Sequence, residues 1–145
     1  MKEEAKRRIE HCRRTQETTL QLTYSNLTDV SFLADLTQLT TLKLSYNAIK
    51  DITPLAGLIN LTSLYIGGND IADLSPLADL TELKTLSFFS NKVTNISALS
   101  NFKRLETLDF SANEVSNLKP LKGLTQLTKM DASVNKISDL DHYWA

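Results

Sequence analysis

The sequence predicts an α/β repeat solenoid, with short parallel strands on a concave face, 3₁₀ or irregular turns on a convex face, and a helical cap at the N-terminus. Three observations carry this. The stretch LTTLKLSYNAIKDITPLAGLIN at Leu39–Asn60 returns every 22 residues, as LTSLYIGGNDIADLSPLADLTE from Leu61, LKTLSFFSNKVTNISALSNFKR from Leu83 and LETLDFSANEVSNLKPLKGLTQ from Leu105. An asparagine column, Asn47, Asn69, Asn91, Asn113 and Asn135, keeps that period. So does a proline column, Pro54, Pro76 and Pro120, with Phe32, Ala98 and His142 as its exceptions. A repeat of this length marks a stacked supersecondary unit.

The first element is a helix over residues 2–14, KEEAKRRIEHCRR. Ala5, Ile9 and Cys12 make a narrow apolar stripe at i, i+4 and i+7. Glu3 and Glu4 near its start and Arg13 and Arg14 near its end suit the helix dipole. Glu3–Arg7 and Glu10–Arg14 are expected as i,i+4 pairs. The helix is expected to cover the open end of the first repeat, giving a cap over 1–16 and a solenoid over 17–145. About six repeats fill the solenoid, the first degenerate and the last truncated.

Within each repeat the apolar residues of TLKL alternate, so Leu42 and Leu44 point inward while Thr41 and Lys43 point outward. So short a strand cannot bury its leucines alone, but copies stacked in parallel can. The asparagine follows where the chain turns away, and its amide can both donate to and accept from turn backbone. Proline removes a donor and fixes φ, so PLAGL, PLADL and PLKGL read as 3₁₀ or irregular turns. The first copy departs at Glu17 and Ser25, where Leu and Asn are expected. Phe102 and Phe88 in the fourth copy read as core substitutions that repack together. In the last copy Tyr143 is expected to close the core and Trp144 to lie over its end, with Ala132 leaving space behind. An uncapped edge there would be a template for self-association.

The pattern LxxLxLxxNxIxDIxPLAxLTxL resembles the 22-residue leucine-rich repeats of bacterial internalins and related short-repeat proteins, over residues 17–145. The resemblance implies a curved leucine-rich repeat fold. It also implies a protein-binding use, and a helix-then-repeat start of the kind found in larger polypeptides. It names no partner, because one scaffold serves many.

Composition sets further bounds. The chain has 145 residues, is 41% hydrophobic and 23% charged, and carries a formal charge of −1. That balance gives no electrostatic case for nucleic acid or an anionic membrane. No apolar run approaches membrane-spanning length, and residues 1–17 lack a signal core. The expectation is a cytoplasmic chain, or a secreted or surface one if a leader has been removed. Cys12 is the sole cysteine, read as a small buried hydrophobe. His11 and His142 sit at opposite ends, so neither a metal site nor a triad is expected. Gly67-Gly68-Asn69 lacks the Lys-Ser/Thr of a phosphate loop and reads as small residues at exposed strand positions. Asn26, Asn60 and Asn95 begin glycosylation sequons that a Thr- and Asn-rich repeat generates by chance. No enzyme activity and no cofactor are expected.

Surface is what remains, ordered into ladders by the period. One ladder is Gln21, Lys43, Tyr65, Ser87, Asp109, Asp131, and the next is Thr23, Ser45, Gly67, Phe89, Ser111, Ser133. A third, at the strand exits, is Tyr24, Tyr46, Gly68, Ser90, Ala112, Val134, while Thr19 to Lys129 is mostly hydroxyl. Tyr24, Tyr46, Tyr65 and Phe89 put large rings on one exposed surface, with Lys43 among them. Asp109 and Asp131 form a like-charge pair that Lys129, or a basic group of a partner, offsets. This predicts a non-catalytic module holding a protein or peptide on the concave face. A scaffold unit with no partner, engineered or excised from a larger protein, stays open as the alternative.

Overall fold

The computed structural model describes residues 1–138. A helix, α1 (Glu3–Thr15), leads into six three-residue strands: β1 (Thr19–Gln21), β2 (Thr41–Lys43), β3 (Ser63–Tyr65), β4 (Thr85–Ser87), β5 (Thr107–Asp109) and β6 (Lys129–Asp131). They form one parallel sheet in sequence order, each residue paired with the residue one period on. The returns cross the opposite face through 3₁₀ turns at Ser31–Leu33, Thr53–Leu55, Ser75–Leu77, Ser97–Asn101 and Lys119–Leu121. This is the curved solenoid that the period predicts. The expectations for Tyr143, Trp144 and the C-terminal edge lie outside the described residues.

One continuous core runs between sheet and turns, and the columns through Leu42, Leu44, Ile49, Ile52, Leu55, Leu58 and Leu61 are buried within it. Phe88 and Phe102 are both buried there, and Phe88 stacks on Phe110 at 5.9 Å between ring centroids. The asparagine column is the polar spine of this core. Asn91 Nδ2 donates to the carbonyls of Phe88 in its own repeat and Ile66 in the preceding one, both at 3.0 Å. Its Oδ1 accepts the Ile71 N–H at 2.9 Å. Asn69 and Asn113 repeat the pattern one period away.

The convex turns are fastened by a second column. Asp29, Asp51, Asp73, Asn95 and Asn117 each accept, through Oδ1, the backbone N–H two residues on. These Asx turns start each 3₁₀ segment.

Helix α1 contributes Ala5, Ile9 and Cys12 to the core, as its stripe predicts. Its ion pairs differ from those expected: Lys6 pairs with Glu3, Arg7 and Arg8 with Glu4, and Arg13 with Glu10. Three of the four are i,i+3 rather than i,i+4 pairs, and two of the arginines also make tertiary contacts. Arg8 turns to donate to the Gln21 carbonyl at 3.0 Å, and Arg13 reaches both Asp35 and the Phe32 carbonyl. The Cys12 thiol donates to the Glu17 carbonyl at 3.4 Å, and burial pushes its pKa up. It packs as a small buried residue, as read from sequence.

Two predictions follow from these columns. Asn91→Ala would strand the buried Ile71 N–H and leave the Phe88 and Ile66 carbonyls to Asn113 and Asn69 alone, at a cost of about 1–3 kcal/mol. Asn135 makes the same bonds half-buried near the end of the ladder. Asn135→Ala should therefore lower the urea midpoint less than Asn91→Ala, and equal small losses would contradict the spine.

The second concerns acid. The Thr53 hydroxyl and N–H hold the Asp51 carboxyl below the usual range, and the Ser75 N–H and hydroxyl do so for Asp73. Depressed folded-state values mean stabilisation that is full above the unfolded carboxylate pKa and lost as pH falls through the folded values. Asparagine already fills this column at Asn95 and Asn117. The double variant Asp51→Asn/Asp73→Asn should keep its stability at neutral pH and lose less of it below about pH 4. Urea unfolding against pH checks the sign.

Candidate functional site

The concave face is built by a backbone device as much as by the strands. Tyr24, Tyr46, Ser90, Ala112 and Val134 have φ of 54°, 59°, 49°, 56° and 55°, and Gly68 in the same column has 65°. This left-handed residue breaks the in–out alternation of the strand. The next residue, the asparagine, then points inward instead of out. The conformation is held by a bond to the following repeat. Tyr46 N–H donates to the Gly67 carbonyl at 2.9 Å, Gly68 to Phe89 at 2.8 Å, and Ser90 to Ser111 at 2.9 Å.

That same geometry aims the tyrosines. Tyr24 and Tyr46 stack nearly parallel, 4.6 Å between centroids and 4° between planes. Tyr46 then meets Phe89 edge-on at 5.6 Å. Both tyrosines stay largely in water, 60% and 45% exposed. Phe89 is half-buried rather than turned fully outward, because its ring folds down over Gly67. Gly67 is correspondingly buried, not exposed as the sequence suggested.

Tyr65 stands apart from this cluster on β3, with Lys43 Nζ 5.6 Å above its ring. Asp109 and Asp131 lie side by side on β5 and β6, as their register requires. The serines two residues on, rather than Lys129, hold the two carboxylates. Ser111 N–H and Oγ reach Asp109 Oδ1 at 3.0 and 2.7 Å, and Ser133 does the same to Asp131 at 3.0 and 2.6 Å. The Ser133 hydroxyl and N–H hold the Asp131 carboxyl below the usual range. Gln21 makes the equivalent loop to Thr23.

The structure thus joins Tyr24, Tyr46 and Phe89 into one cluster, pairs Lys43 with Tyr65, and sets Asp109 and Asp131 on the opposite half of the sheet. Gly67, Gly68, Ser111 and Ser133 were missed as contributors. The ladders contained the signal: a glycine pair where neighbouring repeats carry side chains, and Asp-x-Ser repeated at 109–111 and 131–133. Among the described residues no group of three or more His, Cys, Asp or Glu converges on a metal position. No helix among them is long and apolar enough to cross a membrane.

Fold and site together define a repeat solenoid with a patterned concave face. Two family models match the chain, one described as leucine rich repeat over residues 18–71 and one as leucine rich repeats (2 copies) over residues 59–101. An internalin (inlF) of Listeria monocytogenes is 37% identical, over 90% of this chain and 39% of that one, with a TM-score of 0.86. Internalin C2 of the same organism is 31% identical, over 86% of this chain and 74% of that one, with a TM-score of 0.69. A leucine-rich repeat protein of Leptospira interrogans shares the fold at 24% identity and a TM-score of 0.83, over 92% of this chain and 36% of that one. No curated protein matches the chain. The chain belongs to the leucine-rich repeat family, and its solved likenesses include internalins. Repeat solenoids of this kind use an extended concave surface to bind other proteins.

The left-handed column yields a prediction. Such a conformation costs a residue with a Cβ roughly 1–2 kcal/mol, which glycine avoids. Ser90 is exposed, and among the described residues its side chain makes no hydrogen bond in exchange. Ser90→Gly should raise stability by about 0.5–1 kcal/mol after the added freedom of the unfolded chain is offset. A lower urea midpoint would mean that the Ser90 side chain contributes more than its backbone costs.

Proposed function

We propose that this chain is a non-catalytic module that holds a protein or peptide on its concave face. The aromatic half, Tyr24, Tyr46, Tyr65 and Phe89 with Lys43, takes an apolar part of the partner. The acidic half, Asp109 and Asp131 with Lys129 at its margin, sets orientation. The observation that carries this reading is the tyrosine stack, with two ring systems left largely in water at 60% and 45% exposure. Clustered exposed aromatics commonly mark interaction sites.

The acids support the same reading. All four serine bonds fall on Oδ1 atoms, so within the described residues each carboxylate keeps Oδ2 for a further donor. Two such oxygens one strand apart suit the fork of an arginine or the ammonium of a lysine. A partner segment with an apolar residue toward β1–β3 and a cation toward β5–β6 fits both halves.

The alternative of a partnerless scaffold has one observation in its favour: the rings satisfy one another, and stacked pairs stabilise sheets. Short random peptides displayed and selected on the immobilised protein separate the two. Enriched peptides should carry an apolar residue and a basic residue. Tyr46→Ala and Phe89→Ala should each weaken them roughly tenfold or more. Asp109→Asn/Asp131→Asn should weaken them less and reduce the salt dependence. Full affinity in all three folded variants moves the site off this face, and a selection that enriches nothing supports the scaffold.

A further inference from the structure

The solenoid supplies its own control for every position, because each column samples one backbone environment several times. Gly68 has a positive φ, which would ordinarily explain a glycine. Here it does not. Tyr24, Tyr46, Ser90, Ala112 and Val134 adopt the same left-handed conformation at the equivalent place. Gly67 has an ordinary φ, and its column holds Thr23, Ser45, Phe89, Ser111 and Ser133. Backbone conformation favours glycine at 68 but requires it at neither position.

Their neighbours do. A Cβ on Gly67 would lie 2.2, 2.3 and 2.5 Å from three atoms of the Phe89 ring. A Cβ on Gly68 would lie 2.7 Å from Tyr46 Cδ1. The two rings approach from opposite sides in sequence, one from the repeat before and one from the repeat after. They meet edge-on at 5.6 Å above the glycine pair. Tyr24 extends the assembly by stacking on Tyr46.

We propose that Gly67 and Gly68 are positioning residues of the binding face: their missing side chains form a recess in β3's exit that seats Phe89 and Tyr46 as one preformed aromatic platform. The inference rests on the concave-face reading and deepens it. It shifts the centre of the site from β3's own side chains to a gap in that strand's exit. It also explains why Phe89, the ring expected to stand out, lies half-sunk. A seated platform loses less side-chain freedom on binding than rings free to rotate. The repeat with the smallest residues thereby becomes the one around which the partner's apolar group is read.

The test begins without any partner. In the wild-type protein, nuclear Overhauser contacts should link Phe89 ring protons to the Gly67 Hα protons and to the Tyr46 ring. Gly67→Ala should abolish the Phe89–Tyr46 contact, and Gly68→Ala should displace Tyr46. Gly57→Ala is the matched control, since a Cβ there meets nothing within 4 Å. It should leave all these contacts in place. Persistence of the Phe89–Tyr46 contact in a folded Gly67→Ala protein overturns the proposal.

Affinity for a peptide selected on the wild-type protein is then measured in the same variants. Gly67→Ala should bind about tenfold more weakly, the loss expected when one anchor is misplaced. In a Phe89→Ala background, the further change Gly67→Ala should add little, because the ring it displaces is gone. Displaced rings with unchanged affinity would overturn the binding role while the recess itself stood. That outcome would count against the concave-face reading and not against the packing.

Discussion

The structure depends on one local sequence of events at the end of each strand: a left-handed residue, then an asparagine. The left-handed residue reverses the strand's alternation, which sends the asparagine side chain into the core. There the amide finds the carbonyls and N–H groups that the turn would otherwise leave buried and unpaired. Each such group costs about 1–3 kcal/mol if unsatisfied. A single asparagine serves at least one N–H and two carbonyls in two repeats. The leucines make the core apolar, but the asparagine fixes the translation from one repeat to the next. The apolar columns alone would tolerate a slipped or rotated neighbour, because burial is not directional.

This spine has a direction. Every asparagine reaches back to the repeat before it, so the first repeat has nothing to reach for. Ser25 stands in the asparagine column there and is buried, and its own backbone N–H is taken by Asn47 Oδ1 at 2.9 Å. The degenerate first copy is thus a consequence of polarity in the ladder, not erosion of the repeat. Helix α1 supplies what a preceding repeat would have supplied. Within the sheet, the carbonyls of Lys43 and Tyr65 accept N–H groups from the repeat before, Leu22 and Leu44. The equivalent carbonyl on β1 belongs to Gln21, and Arg8 donates to it. The backbone N–H of Lys2 likewise reaches the Ser25 carbonyl at 3.2 Å. A sheet edge that would otherwise invite another strand is covered by a guanidinium and a helix.

Sequence made the interior legible and the surface only partly so, for a physical reason. Interior columns repeat because every copy meets the same neighbours, and six samples of one environment expose its rule. Strand register, the polar spine and the convex turns were readable on that ground, and the apolar stripe of α1 from its helical spacing. Side chains on the surface answer to particular neighbours instead. The helix ion pairs were misassigned because i,i+3 partners compete with i,i+4 ones, and spacing along the helix does not decide between them. Phe89 was expected to point out because alternation demands it. Its ring folds because the residue one period earlier is Gly67. Asp109 and Asp131 were expected to be offset by Lys129 or a partner's basic group, since local Asp-x-Ser loops are invisible in a reading that looks across strands.

The energetics of the tyrosine pair bear on what the face is for. Tyr24 and Tyr46 both occupy a left-handed conformation that costs each roughly 1–2 kcal/mol, against glycine in the same column. Their parallel stack returns about 0.5–1.5 kcal/mol beyond the area it buries. The edge contact with Phe89 adds a further increment, but both tyrosines leave much of their surface in water. Burial of the rest of each ring, at about 25 cal/mol per Å², is of the same order as the backbone cost. The fold demonstrably accepts serine and alanine at this place, in Ser90 and Ala112, and it accepts glycine in Gly68. Backbone conformation alone would favour the last. Serine, alanine and glycine fill the same place in other repeats, so the backbone does not call for the large rings at Tyr24 and Tyr46. What asks for the rings is then the surface they still leave in water, the part that the proposed partner would cover.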